Sequence, residues 1–360
     1  MQRSMAVERI PLWILLMCAA CRDTSPAADE TTGGSSSGGS SAGTSTTMGS
    51  SSSSTTDATS SGTSAADSSG SSDGSSTTGG EIELAGECPL DVHVGGFLAG
   101  YEKTYSAFSG SVADGVVPVS VLEQVAEEGD CKLLLRNNPF CDPGCLAGDV
   151  CDFDGNCIPY PLNHDLGVVT ATGLADPIML EPVPPTYSYF YTMLPNPGFE
   201  PGAILTVESE GGDYSPISLQ GIGVTMVEPG VEEIQIAHDT ALDITWTPGD
   251  PRTSMRLQVG IDQHGTSPLS LICTAPADAG TLTVSGDLLN QFLDNGVSGF
   301  PSADFYFETV DSVVIEPGCV DFVVRSHAQV VVFVEGHTPC NVTPDCPDGQ
   351  TCDVMTQTCV

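Results

Sequence analysis

Two short stretches carry the residues best placed to do chemistry. Cys141, Cys145, Cys151 and Cys157 stand with three, five and five residues between them. Cys340, Cys346, Cys352 and Cys359 repeat the framework with gaps of five, five and six. Four sulfurs at such spacing either hold a metal or cross-link. Structural zinc sites usually place paired ligands roughly two to four residues apart. Here the gaps are mostly wider and no histidine interleaves. Disulfides are therefore the expected chemistry, and in an exported chain they would also be the persistent one. More than one pairing of four cysteines is possible. First-with-third and second-with-fourth is the one we expect: Cys141–Cys151 and Cys145–Cys157, then Cys340–Cys352 and Cys346–Cys359.

A second set is acidic. Asp152, Asp154 and Asn156 open like an EF-hand loop, but Cys157 stands where glycine belongs and no glutamate closes the loop. A looser calcium site from Asp149, Asp152 and Asp154 is the weak metal candidate. Against it, Asp and Asn favour tight turns for their own reasons. The six histidines, His93, His164, His238, His264, His327 and His337, are scattered, with no two at metal-ligand spacing. His238-Asp239 and His264-Gly265 read as turn residues. Gly34-Ser35-Ser36-Ser37-Gly38 matches the nucleophile-elbow pattern but lacks the strand before and helix after that the pattern needs. No phosphate loop or dinucleotide fingerprint is present. These observations predict a protein that is not an enzyme and takes no cofactor. The alternative is a secreted hydrolase whose active site is assembled from residues distant in sequence.

The elements around these residues divide the 360-residue chain. Residues 1–20 read as a signal peptide: Arg3 and Arg9 precede the apolar run PLWILLMCAA, too short for the roughly 20 residues of a membrane-spanning helix. Cys21 follows Ala19-Ala20 as the acylated cysteine of a lipobox does, although Cys18 stands where leucine is usual. Lipidation at Cys21 is expected, giving a membrane partner through the anchor; without it the chain would be secreted. Residues 21–80 form a tether of Ser, Thr and Gly. From Thr24 to Gly80 there is no aromatic residue, Leu, Ile or Val, too little apolar surface to offset the entropy of ordering. Such a chain has a root-mean-square span of roughly 40 Å.

Residues 81–140 read as a small β-rich region with one short helix. In PVSVLEQVAEEGD, Ser120 and Glu123 make a capping-box pattern, Val121, Leu122 and Val125 an apolar face, and Gly129 an end. Residues 141–160 are the first cysteine-rich module. Residues 161–337 alternate with period two in ALDITWTP, MRLQVGID and VDFVVR, between Gly/Pro/Asn/Asp clusters. One helix is expected at GDLLNQFLDNG with Ser285 as its N-cap. Residues 338–360 are the second module. The predicted class is all-β, mainly an antiparallel β-sandwich, with two small disulfide-rich modules and a long disordered N-terminal tether. Fourteen cysteines less Cys18 and Cys21 leave twelve. With eight in the modules, Cys273 and Cys319, both in strand-like sequence, are expected to pair, leaving Cys88 for Cys131.

The lipobox-like Cys21, the Ser/Thr/Gly tether, the segment FCDPGCLAGDVCDFDGNCIPYP and the stretch IDQHGTSPLSLIC together resemble cysteine-rich secreted lipoproteins of the myxobacterial type. That resemblance implies an envelope location and brings no activity with it.

The net charge is −38, from 47 acids against 9 bases, with only Lys103 and Lys132 as lysines. Such a surface repels phosphate backbones and anionic headgroups, which excludes nucleic acid as a partner. Acids spread along the whole chain favour a role in solubility over the binding of cations or cationic partners. We therefore expect a protein of the cell envelope, at the outer membrane or cell surface. Its expected role is binding or structural, toward a protein or glycan ligand. A third reading makes the chain an inhibitor or adhesin, with the modules as rigid recognition loops. Tyr187, Tyr189, Phe190 and Tyr191 in TYSYFYTM would supply contacts or core.

Overall fold

The structure, a computed structural model, describes residues 82–262 and 269–360. The strands follow from the alternation. MRLQVGID buries Met255, Leu257 and Val259 on one face and leaves Arg256 and Gln258 on the other. In chain order they are β1 (His93–Tyr101), β2 (Ser106–Val112), β3 (Leu122–Glu128), β4 (Cys131–Arg136), β5 (Asp149–Cys151), β6 (Cys157–Pro159), β7 (Val169–Thr172), β8 (Ile178–Leu180), β9 (Tyr189–Tyr191) and β10 (Ile204–Ser209). There follow β11 (Ser218–Ile222), β12 (Glu233–Ile236), β13 (Leu242–Thr245), β14 (Ser254–Gly260), β15 (Leu269–Pro276) and β16 (Thr281–Val284). A helix, α1 (Gly286–Leu293), precedes β17 (Ser302–Val314), β18 (Cys319–Val334), β19 (Cys352–Asp353) and β20 (Thr358–Cys359).

Ten strands build one sheet in the order β3-β4-β15-β14-β17-β18-β1-β2-β9, with β12 also on β18. Its spine is β18, sixteen residues long. One edge of β18 pairs antiparallel with β17, from Ser302↔Val331 to Val314↔Cys319. The other edge is shared by two parallel partners, β1 against Cys319–Ser326 and β12 against Val331–Val334. A second, antiparallel sheet, β11-β10-β7-β8, covers one face of the first. The two approach closely at Gly221, where a Cβ would lie 2.4 Å from Val324 Cγ2, so only glycine fits. Beside it, the Ile222 N–H donates to Thr309 Oγ1 at 3.0 Å and the Gln220 N–H to Asp311 Oδ2 at 2.8 Å. Val207, Leu205 and Leu219 from the small sheet join Phe97, Phe305, Phe322 and Val324 from the large one in a common core. Each such side chain fully buried adds about 1.5–3 kcal/mol.

The antiparallel β13–β16 ribbon and α1 extend that core through Ile244, Trp246, Leu288, Leu289 and Phe292. The helix starts where expected, with Ser285 Oγ accepting the Leu288 N–H at 3.1 Å. Gly296, at φ +96, follows its end.

Two sequence expectations are corrected. The predicted helix over PVSVLEQVAEEGD is a short 3-10 turn, Pro118–Ser120, followed by strand β3. β3 pairs with β4 and carries a bulge between Gln124 and Ala126. Gly129, at φ +60, opens a two-residue hairpin loop between Glu128 and Cys131 rather than ending a helix. The ladder to β4 outweighs a cap and a one-sided apolar pattern, and Val121 and Val125 are β-branched. Residues 81–140 are also not a region of their own, since β1 to β4 lie in the same sheet as β14, β15, β17 and β18.

Candidate functional site

All twelve cysteines from Cys88 onward are joined in six disulfides. Within the modules the bonds are Cys141–Cys151, Cys145–Cys157, Cys340–Cys352 and Cys346–Cys359. The two knots share one design. In each, the third and fourth cysteines face each other across a short ribbon, Cys151↔Cys157 in β5–β6 and Cys352↔Cys359 in β19–β20. Their Cα–Cα distances also agree, at 5.6 and 5.5 Å in the first and 5.9 and 5.6 Å in the second. The other two bonds correct the expectation. Cys88 joins Cys319, and Cys131 joins Cys273. β4 lies beside β15, which sets Cys131 directly opposite Cys273. The segment before β1 meets the start of β18, where the Cys319 N–H donates to the Val92 carbonyl at 2.8 Å.

The acidic set does not converge. Asp152 Oδ1 accepts the backbone N–H groups of Asp154, at 2.9 Å, and Asn156, at 2.7 Å. The bond from Asn156 holds this carboxyl below its usual range. Asp152 thus organises the turn between β5 and β6, the role Asp takes in tight turns. Asp149 lies on β5 and Asp154 in the turn, both exposed. Among the described residues, the only sets of three possible metal ligands with atoms within 4.8 Å of one another are Cys141, Cys145, Cys157; Cys340, Cys346, Cys359; and Cys88, Cys319, Asp321. Every cysteine in them is in a disulfide.

A cluster that the sequence did not announce lies on the outer face of the large sheet. Opposed pairs Arg256↔Tyr306, Tyr306↔His327 and Glu308↔Arg325 place these five side chains on one face of β14, β17 and β18. His327 Nε2 lies 2.8 Å from Asp304 Oδ1, and its Nδ1 lies 3.1 Å from Glu102 Oε1. Tyr105 donates its hydroxyl to the same Glu102 oxygen at 2.7 Å. The His327 ring stacks on Tyr306 at 5.0 Å, and the Arg325 guanidinium sits 4.8 Å from the Tyr306 centroid. Arg256 pairs with Glu87 and lies 3.5 Å from Glu308. Tyr306 and Glu308 are buried, at 2% and 4% exposure, on a face that alternation alone would leave wet.

The segment before β1 crosses this side. Besides Glu87, it sends the Cys88 N–H to Asp321, on the face of Arg325 and His327, at 2.9 Å. Burial pushes the Glu308 carboxyl up, against the pull of Arg256 and Arg325. Burial would lower His327, but the bonds to Asp304 and Glu102 outweigh it and raise the imidazole. Glu102 moves the opposite way: burial raises it, the bonds from His327 and Tyr105 lower it, and the net shift is down. With a carboxylate on each ring nitrogen, this histidine is built to hold a proton rather than to accept one from a nucleophile. It clamps the end of β1 to β17 and β18.

The other histidines have local roles. His238 and Asp239 form a turn, with Asp239 at φ +57 and its N–H donating to Asn290 Oδ1 at 2.8 Å. His164, partly exposed, lies between Asp213 at 3.0 Å and Asp114 at 3.2 Å; the bond to Asp213 above all raises it. His93 Nε2 stands 3.4 Å from Asp321, and His337 Nε2 lies 2.8 Å from the Gly299 carbonyl. His264, Cys21, the tether and the Gly34–Gly38 match lie outside the described residues. In TYSYFYTM, Tyr189 is buried, with its hydroxyl accepting from the Leu166 N–H and donating to the Gly167 carbonyl. Tyr191 packs against the core, Tyr187 is half-buried, and Phe190 is 63% exposed.

The knots expose apolar side chains, as the sandwich also does at Met179, Phe190, Met193 and Val314. The first knot shows Leu146 at 80% and Phe153 at 52%, with Phe140 at 84% immediately before it. The second shows Val354 and Met355.

The chain is matched by no family model and by no curated protein. Among solved structures, the FN1–FN3 domains of chicken CNTN1 are similar over 59% of this chain and 65% of theirs, with 8% identity and a TM-score of 0.17. A Ca2+-stabilized, ice-binding adhesin of an Antarctic bacterium is similar over 71% of this chain and 54% of its own, with 13% identity and a TM-score of 0.17. The chain thus spans less than two thirds of either, and at that score neither likeness amounts to a shared fold.

Proposed function

We propose that this protein is a lipid-anchored binding protein of the cell envelope, without catalytic activity, whose disulfide-stapled ectodomain stands off the membrane on a flexible tether. The observation that carries the reading is the complete pairing of twelve cysteines. Such a set forms and persists in an oxidising compartment. The leader-like residues 1–20 and Cys21 supply the export and anchor that this requires. The residues of the outer-face cluster serve one another rather than a substrate. The test is to express the full chain with labelled fatty acid, beside Cys21→Ser. Label in the native chain, loss of it in the variant, and release of the variant to the soluble fraction are expected. An unlabelled native chain found in the medium would overturn the anchor.

A further inference from the structure

We infer that the first knot is a docking surface for a basic amphipathic peptide segment of a partner protein; this rests on the binding role proposed above. Large apolar side chains exposed singly on a surface are ordinary. Here Leu146 and Phe153 belong to one small knot, with Phe140 immediately before it and Leu162, at 63% exposure, just beyond it. Within residues 141–160 the only fully buried cysteines are Cys141 and Cys151. The knot therefore has no apolar core of its own to draw these side chains inward. Two disulfides closing separations of 10 and 12 residues keep its loops from collapsing over them. Asp152 fixes the turn that carries Phe153. Such preorganised exposure lowers the ordering cost of binding.

The charged residues of the knot itself, 141–160, all have one sign. Asp142, Asp149 and Asp154 are exposed on the knot, and no Lys or Arg occurs from Asn137 to Asp165. A second copy of this chain would set aspartate against aspartate. Anionic headgroups would be repelled. The tether cannot fill the surface either, because Thr24 to Gly80 contains no Lys, Arg, aromatic residue, Leu, Ile or Val. A complementary occupant is apolar on one side and basic beside it, as an amphipathic helix laying its apolar stripe on the knot would be.

The full chain is titrated with a short fluorescent peptide of lysine and leucine at helical amphipathic spacing, read by anisotropy at physiological salt. Phe140→Ser with Leu146→Ser is expected to weaken binding about tenfold or more, since every tenfold step corresponds to a modest loss of buried apolar contact. Asp142→Asn with Asp149→Asn and Asp154→Asn should weaken it and flatten its salt dependence. Met179→Ser with Val314→Ser, equally exposed elsewhere, should leave it unchanged. The inference is overturned if the Phe140/Leu146 variant binds like the native chain, or if a polylysine peptide binds as tightly, since general acidity then suffices. It is also overturned if an uncharged amphipathic peptide binds equally well, or if sedimentation shows a dimer that the Phe140/Leu146 variant abolishes. The anchor experiment reads a different quantity, so loss of the anchor with the peptide pattern intact removes only the location.

Discussion

From β7 to β18, strand after strand sends alternate side chains into a shared core, and Leu257, Phe305 and Val324 have no exposed surface at all. In residues 338–360 the only buried side chain is Cys340. The first knot is similar, with its buried positions being chiefly cysteines. The sandwich coheres by excluding water, the knots by covalent bonds that close short loops, where a packed core would need more chain than they have. The lesson concerns division of labour. A stapled loop keeps its shape without burying its apolar side chains, so it can present them.

The same contrast separates the six disulfides. Cys88–Cys319 and Cys131–Cys273 span 231 and 142 residues and link distant parts of the sandwich. The knot bonds span 10 to 13 residues and act locally.

The largest effect is expected from Cys131→Ala with Cys273→Ala. Loop-closure entropy for so long a span gives about 5 kcal/mol of lost stability, measured by denaturant unfolding under oxidising conditions. A loss no greater than that from removing a knot bond would break the comparison.

A smaller effect is expected from the clamp. His327 is raised in the folded state, so its contribution is fully present below the unfolded histidine value of about 6.5 and is lost as pH rises through the folded value. Glu102 is lowered, so its contribution is present above its unfolded value and lost as pH falls through the folded one. Native stability should therefore fall from mildly acid toward alkaline pH. His327→Gln should cost about 1–3 kcal/mol on the acid side of that window and less above it. His164→Gln, at a more exposed histidine between two carboxylates, should cost clearly less, because solvent screens that pair. Equal effects from the two would sink the clamp.

The smallest effect on the sandwich is expected from Cys145→Ala with Cys157→Ala. Its main unfolding transition should stay within about 0.5 kcal/mol of the native one. Limited proteolysis should meanwhile begin to cut residues 141–160. A large shift in the main transition would show that the knot supports the core.

Much of the fold was legible in local pattern. Period two identified β13, β14 and β18, and Ser285 with Asn295-Gly296 bracketed α1. The short spacing confined each knot's bonds to its own four cysteines, but the choice among their three possible pairings was not written in it. The candidate surfaces were only half legible. The cysteine framework marked the knots, but nothing in the alternation of SADFYFE and VVRSHAQ distinguishes a buried polar row from a wet one. Asp304, Tyr306, Glu308, Arg325 and His327 looked like ordinary outward positions.

The sequence alone determined where most strands, the knots and the apolar-poor residues 24–80 fall, because those depend on composition and on contacts within a few residues. Only the tertiary structure decided that Cys88 meets Cys319 and Cys131 meets Cys273, that 122–128 is an edge strand, and that Glu87 crosses to Arg256 over the polar row. Each of those outcomes depends on which strand lies beside which across more than a hundred residues of chain. A local period fixes which face of a strand is apolar; it carries no information about the strand's neighbour or about what covers its other face.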